Sequence, residues 1–479
     1  MTTKEIPMGL SYDDVLLVPR KSSVGSRSDV STGSKLTKSI SLSSPVISAN
    51  MDTVTESDMA IAMARTGGLG IIHRFMGIDA QADEVRKVKR AEALVIEHPY
   101  TIAPTSPISE ARELMEHEGI SGLLVSDENN SLLGILSDRD LRFVTDESKP
   151  VLSAMTPRNR LIVAPPAISM EMALRVLDEH RLEKLPLVDK KNKIRGLITS
   201  KDLYKRIRGS YNATKDPQGR LVVGAAIGIK GDYADRAVAL AEAGADLLVL
   251  DVAHGHTDSV ISAVKHIKRL LKSTPLVAGN VATSEGVTDL ASAGADAVKV
   301  GIGPGAACIT RRVTGAGVPQ LTAVMECATS ASSLGVGTIA DGGIRTSGDI
   351  TKALAAGASA VMVGSMLAGT DESPGYFIVK DGIRYKAYRG MASMGANISR
   401  KKLDTSDFSN ADISNIVPEG VESSIPYRGR VSEVISQLMG GLRSGMSYCG
   451  ASSLVELRKK ARFVRLSENG IAESYHKLK

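Results

Sequence analysis

Short apolar runs recur along this chain, and three of them follow a helical segment that ends in Ala-Gly-Ala. A glycine directly after a helix is a typical stop signal, because it adopts left-handed backbone angles without steric cost. Each run lacks polar alternation and is therefore typical of a strand buried on both faces. With the related runs, the pattern predicts eight such strands, at 45–49, 69–73, 222–228, 247–251, 276–280, 297–301, 338–341 and 360–364.

The alternation of strands and helices predicts the fold class. Eight parallel strands joined by crossover helices favour an α/β protein with a (β/α)8 TIM barrel, in which functional residues lie on loops after the carboxyl ends of the strands. An open, doubly wound sheet is the alternative. It is disfavoured because none of these strands is followed by a clean Gly-x-Gly-x-x-Gly that opens a helix.

A long interval separates the second predicted strand from the third, and it carries its own repeat. Each copy predicts an amphipathic helix (108–118 and 169–180), two apolar strands around a polar turn, and a Ser- or Thr-led turn that opens another helix. At an offset of 62 positions, Asp127, Gly134, Asp140 and Leu141 recur as Asp189, Gly196, Asp202 and Leu203. We therefore predict a first barrel part at 1–93, repeat modules at 94–150 and 151–210, and the rest of the barrel at 211–479.

The paired copies resemble tandem cystathionine-β-synthase (CBS) modules, which pair to bind adenine nucleotides. The resemblance implies phosphate and ribose contacts from Ser137 and Asp140 in the first copy and from Thr199 and Asp202 in the second. Ser137 and Thr199 can also serve as helix caps, and the two roles are compatible. We expect regulatory adenine or guanine nucleotides at these modules, although CBS pairs can also act only in assembly.

Composition narrows the class of partner. The chain has 479 residues, a formal net charge of +6, and no run of the roughly 18 apolar residues that a membrane span needs. Aromatic residues make up only 3%, without the clustered basic and aromatic residues typical of nucleic-acid binding. We expect an anionic small molecule, and neither nucleic acid nor membrane, as the partner.

The N-terminus and the cysteines predict the compartment. The N-terminus lacks a signal-peptide core, and the spacing of the three cysteines suits neither disulfides nor a metal site, which predicts a cytoplasmic protein.

One cysteine has a distinctive setting. Cys308 follows the predicted strand 297–301 at the end of a glycine-rich turn, whose backbone amides can approach a ligand closely. The other two cysteines, Cys327 and Cys449, have no such setting and are interpreted as structural. The turn therefore predicts a covalent catalyst beside a bound nucleotide.

Other predicted strand ends are polar or glycine-rich in ways that a core does not require. The stretches 341–343 (Asp-Gly-Gly) and 364–365 (Gly-Ser) follow the last two strands, where barrels of this type hold phosphate on backbone amides. His254 and His256 follow the fourth strand. Alternating side chains point apart and no third ligand is evident, so we predict no catalytic metal there.

With these residues the chain resembles the IMP dehydrogenase / GMP reductase family over almost its full length. The resemblance implies that Cys308 attacks C2 of a purine nucleotide, that hydride passes between this carbon and a nicotinamide, and that a thioimidate links purine to enzyme. The matching segments are 11–17, 51–54, 279–283, 301–310, 340–345, 364–370, 388–391 and 440–444.

The resemblance also implies binding residues and assembly. Contacts to the purine mononucleotide are implied for Ser48, Met51, Asp341, Gly343, Gly364, Ser365, Tyr388, Gly390, Met391 and Glu419. Contacts to the dinucleotide are implied for Asp251, Ala253, His254, Asn280, Gly301 and Gly303. In the family's dehydrogenases a potassium ion (K⁺) binds backbone carbonyls that correspond here to Gly303, Gly305 and Cys308. Family members usually form homotetramers, which CBS pairing can join into octamers.

The family's two reactions separate at a mobile flap, expected here at 393–418. Dehydrogenases carry an Arg-Tyr pair there, whose Arg activates water, but this flap has no such dipeptide and Arg400 is its only arginine. Removal of an activating base costs about 10²–10⁴ in rate. The sequence therefore favours GMP reductase, which forms IMP, ammonia and NADP from GMP and NADPH.

Other features of the site bear on this choice. Ala306 replaces the serine that dehydrogenases use near the phosphate, and Thr310 is expected to shuttle the proton to the leaving ammonia. The flap glutamate of short reductases is missing, and Glu419 is the candidate substitute. Most reductases of the family lack CBS modules, which counts against a reductase. Two alternatives stay open: IMP dehydrogenase, which forms XMP and NADH from IMP, NAD and water, and a non-catalytic nucleotide-sensing regulator.

Overall fold

The computed structural model describes residues 6–91, 95–201, 203, 212–404 and 417–474. The chain divides into two compact units, one of residues 1–91 and 211–479 and the other of residues 92–210. None of the helices in these described stretches is long and apolar enough to cross a membrane.

The strands of both units are short. In chain order they are β1 (Val15–Leu17), β2 (Ser34–Lys35), β3 (Ser41–Leu42), β4 (Val46–Ser48), β5 (Leu69–Ile72), β6 (Thr101–Ile102), β7 (Gly122–Ser126), β8 (Leu132–Ser137), β9 (Thr156–Pro157), β10 (Lys184–Val188), β11 (Ile194–Thr199), β12 (Val223–Ile227), β13 (Leu247–Asp251), β14 (Leu276–Val281), β15 (Ala297–Val300), β16 (Gly337–Asp341), β17 (Ala360–Val363), β18 (Phe377–Lys380), β19 (Ile383–Arg389), β20 (Glu422–Pro426) and β21 (Phe463–Arg465).

The helices alternate with the strands of the larger unit. They are α1 (Ser57–Arg65), α2 (Ile78–Arg90), α3 (Ile108–Glu118), α4 (Asp138–Leu141), α5 (Met170–Glu179), α6 (Tyr233–Glu242), α7 (Asp258–Leu270), α8 (Ser284–Ser292), α9 (Thr310–Thr314), α10 (Gln320–Leu334), α11 (Ser347–Ala355), α12 (Met394–Asp404), α13 (Val431–Tyr448), α14 (Leu454–Lys460) and α15 (Glu468–Glu473).

The larger unit is built on a closed barrel of eight parallel strands. The order around the barrel is β4-β5-β12-β13-β14-β15-β16-β17, and β17 pairs back with β4 through Met362 and Ile47. All eight predicted strands are present, so the predicted (β/α)8 fold is confirmed. Five predicted ends, at 49, 73, 228, 301 and 364, lie one residue beyond the observed strand, because the chain turns there out of the barrel into the loops.

The Ala-Gly-Ala segments stop their helices as the sequence predicts. Gly244, Gly294 and Gly357 have φ angles of +99°, +110° and +115°, which residues with side chains rarely adopt. They follow α6, α8 and α11, and the strands β13, β15 and β17 come next. These strands are buried along their length except at the last residue of β13, Asp251, which is only half-buried. The exception marks the strand end that faces the functional site.

The smaller unit carries the predicted repeat. Helix α3 has the predicted bounds, and α5 lies within the predicted range 169–180. The first copy forms the sheet β6-β7-β8-β9, and the second copy contributes the hairpin β10-β11. Buried apolar side chains of each copy form a core of its own, and a further core joins the strands of the two copies.

The polar turns of the two copies form backbone hydrogen bonds with each other. The Leu132 N–H donates to the carbonyl of Asn192, and the Ile194 N–H donates to the carbonyl of Asn130, both at 3.0 Å. Asn130 and Asn192 have φ of +60° and +59°, the left-handed conformation that Asn tolerates well. The two copies are thus related by a reciprocal pair of backbone hydrogen bonds.

The larger unit adds a three-stranded antiparallel sheet to the barrel, in the order β18-β19-β20. Strand β19 ends at Arg389, whose guanidinium pairs with Asp52 in the loop after β4. Helix α12 then begins the expected flap, of which residues 405–416 lie outside the described residues. The sheet thereby brings residues 388–391 to the carboxyl ends of the barrel strands.

Candidate active site

Two adjoining cavities open at the carboxyl ends of the barrel strands. The first, of about 350 Å³, contains Cys308 in its wall and is named here the thiol cavity; the second, of about 310 Å³, is named the glycine cavity. The predicted residues that line the thiol cavity are Met51, Asp251, Ala253, Asn280, Gly301, Gly303, Gly305, Cys308, Thr310, Asp341, Tyr388, Gly390, Met391 and Glu419. Those that line the glycine cavity are Met51, Gly305, Asp341, Gly343, Gly364, Ser365 and Tyr388.

Two of the residues predicted to contact the mononucleotide or the dinucleotide line neither cavity. Ser48 is fully buried at the end of β4, where its hydroxyl accepts a hydrogen bond from Thr55 at 2.9 Å. His254 is exposed on the loop after β13. The structure therefore brings together most of the residues predicted from the sequence, but not these two.

A chain of hydrogen bonds connects the thiol to a carboxylate. The Cys308 thiol donates to Thr310 Oγ1 at 3.2 Å, and the Thr310 hydroxyl donates to Glu419 Oε2 at 2.7 Å. Glu419 was expected as a mononucleotide contact and as the candidate substitute for the missing flap glutamate, and its carboxylate lies at the end of this hydrogen-bond chain. The arrangement can carry a proton between the sulfur and a carboxylate within one cavity.

Main-chain hydrogen bonds hold the residues of this hydrogen-bond chain in place. The Ile309 N–H donates to the Glu419 carbonyl at 2.8 Å, and the Val421 N–H donates to the Ala307 carbonyl at 2.9 Å. A Cβ on Gly420 would lie 2.9 Å from the Ser393 nitrogen, so only glycine permits this close approach. The thiol loop and the segment around Glu419 are therefore held in register by main-chain hydrogen bonds.

A buried lysine joins the two sides of the site, and the sequence analysis missed it. Lys299, on β15, is 3% exposed, and its Nζ lies 2.8 Å from Asp251 Oδ1 and 2.5 Å from Asp341 Oδ2. Asn280 donates to Asp341 at 2.9 Å, and Asn50 donates to Asp251 at 2.9 Å. The carboxylates predicted to face dinucleotide and ribose are thus fixed by one ammonium group.

Electrostatic attraction favours the charged forms of Asp251 and Lys299. Burial alone would raise the pKa of Asp251 and lower that of Lys299, but the attraction between the two opposite charges outweighs the effect of burial. The pKa of Asp251 lies below its usual range because of Lys299 and Asn50. The pKa of Lys299 lies above its usual range because of Asp251 and Asp341. Both groups are therefore charged at neutral pH, and the Asp251 carboxylate suits hydroxyl donors of a ligand.

The glycine cavity has the form of an anion cradle. Gly342 and Gly343 have φ of +95° and +80°, and a Cβ on Gly342 would lie 2.9 Å from the Gly305 nitrogen. A Cβ on Gly364 would lie 3.3 Å from Tyr388 Oη. Burial, with a smaller effect of Asp341, raises the pKa of Tyr388 to about 12, so its hydroxyl is a neutral donor. The cradle therefore offers backbone amides and one hydroxyl to an anion.

The protein-family comparison fits this geometry. The model of the IMP dehydrogenase / GMP reductase domain matches residues 9–477. The chain belongs to the IMP dehydrogenase / GMP reductase family. Members of this family are NAD(P)-dependent oxidoreductases, so the protein is an enzyme of that class.

Relatives within the IMP dehydrogenase / GMP reductase family carry both names. An inosine-5′-monophosphate dehydrogenase of Nitrosopumilus maritimus is 52% identical over 98% of each chain. A GMP reductase of Leishmania donovani is 49% identical over 98% of this chain and 96% of its own. The crystal structure of a GMP reductase variant from Trypanosoma brucei in complex with guanosine 5′-monophosphate is 46% identical, with a TM-score of 0.92 over 99% of this chain and 98% of that one. Overall identity does not separate the two activities.

The remaining cysteines of this family member are buried. Cys327 is 0% and Cys449 2% exposed, whereas Cys308 is half-buried in the wall of the thiol cavity. Burial raises the pKa of Cys327 to about 12 and also raises that of Cys449. Neither thiol is available as a nucleophile at neutral pH.

A second residue missed in the sequence ties two barrel strands together. The Gln320 side chain is buried, and its Nε2 donates to the carbonyls of Val300 at 2.9 Å and Asp341 at 3.1 Å. These carbonyls end β15 and β16, directly before the thiol loop and the glycine turn. No sequence signal distinguishes Gln320, because a polar side chain at the start of a helix such as α10 is common. Lys299 did have a signal, since a lysine inside the apolar strand Ala297–Val300 is unusual.

Replacing Lys299 by Met is expected to destabilise the barrel by about 3–5 kcal/mol, because it removes the buried ammonium that lies between two half-buried carboxylates. The loss should be larger at pH 7.5 than at pH 5. Asp251, with its lowered pKa, stabilises the wild type in full at both pH values, because that contribution is lost only as pH falls below the unfolded pKa of about 4. In the variant, protonation of the unpaired carboxylates relieves their repulsion. Chemical denaturation at both pH values measures the difference.

Lys268→Met is the matched control for Lys299→Met. Lys268 pairs with Asp296 at 2.9 Å, but both side chains are partly exposed, so its removal should cost about 0–1 kcal/mol. Equal losses in the two variants would show that the buried cluster has no special energetic role.

The smaller unit places two of its four predicted nucleotide contacts at a helix cap. Ser137 Oγ donates to Asp140 Oδ2 at 2.6 Å, and the Ser137 N–H donates to the same oxygen at 2.9 Å, at the start of α4. Thr199 ends β11, and Asp202 lies outside the described residues. The capping interpretation of Ser137 therefore holds, and nucleotide binding there stays a prediction.

Proposed function

We propose that this protein is a GMP reductase that converts GMP and NADPH to IMP, ammonia and NADP. The observation that carries the proposal is the sequence of the flap, 393–418, which contains no Arg-Tyr pair to activate water. A dehydrogenase must hydrolyse its thioimidate with an activated water, whereas a reductase must not. The crystallised relative from Trypanosoma brucei that carries GMP is a reductase, which supports GMP as the ligand of the two cavities.

The first half of the proposed reaction uses the hydrogen-bond chain at the thiol. Cys308 Sγ forms a bond to C2 of the purine, and the bond between C2 and the exocyclic amine breaks. The thiol proton passes from Cys308 Sγ to Thr310 Oγ1, 3.2 Å away, and from there to Glu419 Oε2, 2.7 Å further on, and reaches the departing amine. Ammonia leaves, and the nucleotide remains bound to Cys308 as a thioimidate.

The second half restores the thiol. The hydride that reduces C2 would be supplied by NADPH when it is bound. The C2–Sγ bond breaks as that hydride is received, Cys308 keeps the electron pair as a thiolate, and IMP is released. A proton taken up from solvent returns to the sulfur through the same hydrogen-bond chain, so each cycle consumes one hydride and one proton and releases one ammonia.

The carboxylates and the glycine cavity would orient the nucleotide. Asp341, fixed by Lys299 and Asn280, would accept hydrogen bonds from ribose hydroxyls. The amides near Gly343 and Gly364 and the Tyr388 hydroxyl would hold the 5′-phosphate. Since the two cavities share Asp341 and Tyr388, one mononucleotide can reach from the cradle to Cys308.

The residues present fit a dinucleotide beside the purine. Asn280 Oδ1 is buried and has no hydrogen-bond partner among the described residues, while its Nδ2 is held by Gly301 and Asp341. An acceptor fixed in this way suits a carboxamide N–H, and Asp251 suits ribose hydroxyls. We therefore propose that Asp251, Ala253, Asn280, Gly301 and Gly303 bind NADPH.

The thiol loop also fits the donor set of a monovalent cation. The Gly305 carbonyl accepts the Cys308 N–H at 3.0 Å, and within the described part of the chain the Gly303 and Cys308 carbonyls accept no hydrogen bond. Carbonyl oxygens are the ligands that replace the hydration shell of K⁺. We propose that these three carbonyls would hold K⁺ when it is bound, which would order the loop that carries the thiol.

Paired assays test the proposed reaction. With GMP and NADPH, the nicotinamide absorbance should fall and ammonia should appear in equal amount. With IMP and NAD, no gain in absorbance is expected. Activity in the second assay alone would show a dehydrogenase. Activity in neither assay would favour a nucleotide-sensing regulator. The intact hydrogen-bond chain from Cys308 to Glu419 argues against that alternative.

We also propose that the smaller unit binds regulatory adenine or guanine nucleotides and that the enzyme assembles as a homotetramer or octamer. The support is the repeat itself, whose two copies face each other through symmetric turns at Asn130 and Asn192. Ser137, Asp140, Thr199 and Asp202 are the proposed contacts.

Alanine at all four proposed contacts should abolish the response of GMP reduction to added ATP or GTP while basal activity stays within about twofold. Ser148→Ala is the control, because Ser148 also bonds an aspartate of the first copy, Asp146, at 2.6 Å but is not a proposed contact. Dose–response curves for both nucleotides measure the effect. A quadruple variant with a full response would contradict the assignment.

A further inference from the structure

The start of helix α12 holds an amide side chain in the wall of the thiol cavity. Asn397 lines this cavity together with Cys308, Thr310 and Glu419. No family match in the sequence pointed to it, and it takes no part in the hydrogen-bond chain from thiol to carboxylate.

The orientation of the Asn397 side chain is fixed by its nitrogen. Nδ2 donates to the carbonyl of Ala392 at 3.2 Å and to that of Ser393 at 3.1 Å, which uses both of its hydrogens. An amide has two donor hydrogens on nitrogen and only acceptor capacity on oxygen. Oδ1 is therefore the end left to face a ligand, and it has no hydrogen-bond partner among the residues that the structure describes.

The helix start that carries Asn397 is itself anchored. The Ala396 N–H donates to Ser393 Oγ at 3.2 Å, and the Gly395 N–H donates to Glu422 Oε1 at 2.9 Å. Ser393 and Ala396 are fully buried. The acceptor is therefore held in place before a ligand arrives, which lowers the entropic cost of using it.

Asn397 is also tied to the catalytic segment. The Ala392 carbonyl that accepts from Asn397 also accepts the N–H groups of Glu419 at 3.0 Å and Gly420 at 3.1 Å. Glu419 Oε2 is occupied by Thr310. One carbonyl thus fixes the position of the free amide oxygen relative to the carboxylate that receives the thiol proton.

We propose that Asn397 Oδ1 accepts a hydrogen bond from the exocyclic amine at purine C2 and so selects a 2-aminopurine nucleotide over one that carries only hydrogen at C2. The proposal rests on the proposed reductase function and deepens it. A fixed acceptor recognises an N–H donor, and it gains nothing from a C–H. Asn397 is thus a specificity-determining residue that holds the amine where it must leave.

Binding measurements on the full-length enzyme test the proposal without turnover. Titration calorimetry gives the Kd of GMP and of IMP without cofactor for the wild type, Asn397→Leu and Asn397→Asp. Leu should raise the Kd of GMP about 5- to 100-fold and change that of IMP less than twofold, because only GMP leaves a donor unpaired. Asp keeps an acceptor but lacks the nitrogen donors, and it should retain the preference for GMP. Ser399→Ala, on the same helix, should change neither affinity.

Two results would overturn the proposal. If Leu leaves the ratio of the two affinities unchanged, Asn397 does not recognise the amine. If Leu and Asp weaken GMP and IMP equally, Asn397 acts only through its bonds to residues 392 and 393. Failure of the proposed function is seen separately, as oxidation of IMP or no turnover in the paired assays, while the affinity ratio still reports on Asn397.

Discussion

Cys308→Ala is expected to lower kcat for GMP reduction by about 10⁴ to 10⁶, while the Kd of GMP changes less than threefold. The loss is large because no other group in the thiol cavity can form the bond to C2, and hydride delivery requires that ammonia has already left. Binding is spared because the proposed phosphate and ribose contacts lie in the glycine cavity and at Asp341. Single-turnover assays with GMP and NADPH measure the chemical step, and calorimetry measures binding.

Cys327→Ala is the control for Cys308→Ala. Cys327 lies in the core on α10 and lines neither cavity, so its removal should cost some stability but leave kcat within about twofold. Thiol alkylation before the assay should inactivate the wild type and Cys327→Ala alike. If Cys308→Ala kept substantial activity, covalent catalysis at this sulfur would be wrong for this enzyme.

Glu419→Gln is expected to lower kcat by about 10²–10⁴ with little change in KM. Glutamine keeps the size of the side chain and its Oε1 can still accept from Thr310, but it cannot take up the thiol proton. Thr310→Val should have a similar effect, since it removes the middle of the chain between Cys308 and Glu419. Steady-state kinetics with GMP and NADPH measures both variants.

The double variant decides whether the two residues act as one unit. If Thr310 and Glu419 form a single proton path, losing both should cost little more than losing either. Additive losses would mean that they act independently. Glu433→Gln, an exposed acid on α13, is the control and should leave kcat unchanged.

The fold could be predicted from local patterns. Apolar runs without alternation and glycines after helices identified eight strands, and closure of the barrel confirmed them. These signals are readable because they depend on neighbours in the chain: a glycine such as Gly294 needs its positive φ whatever the barrel does. The setting of Cys308 could be predicted for the same reason, since its glycines precede it directly.

The contacts within the site could not be predicted in this way. Glu419 and Thr310 are 109 residues apart, and their bond depends on how the segment after the flap pairs with the thiol loop. Lys299 joins Asp251 and Asp341 only because three different strands end side by side. Asn397 lines the cavity only because its helix start is fixed by Glu422 and Ser393.

The sequence by itself determined the barrel, the inserted repeat and the candidate nucleophile, because periodicity, glycine conformation and loop composition are local properties of a chain. It also determined the absence of the flap pair on which the proposed reaction depends. Only the tertiary structure decided which polar groups meet at the strand ends. Their hydrogen bonds and charges act over about 3 Å, and the residues that they join come within that distance only after the barrel has closed.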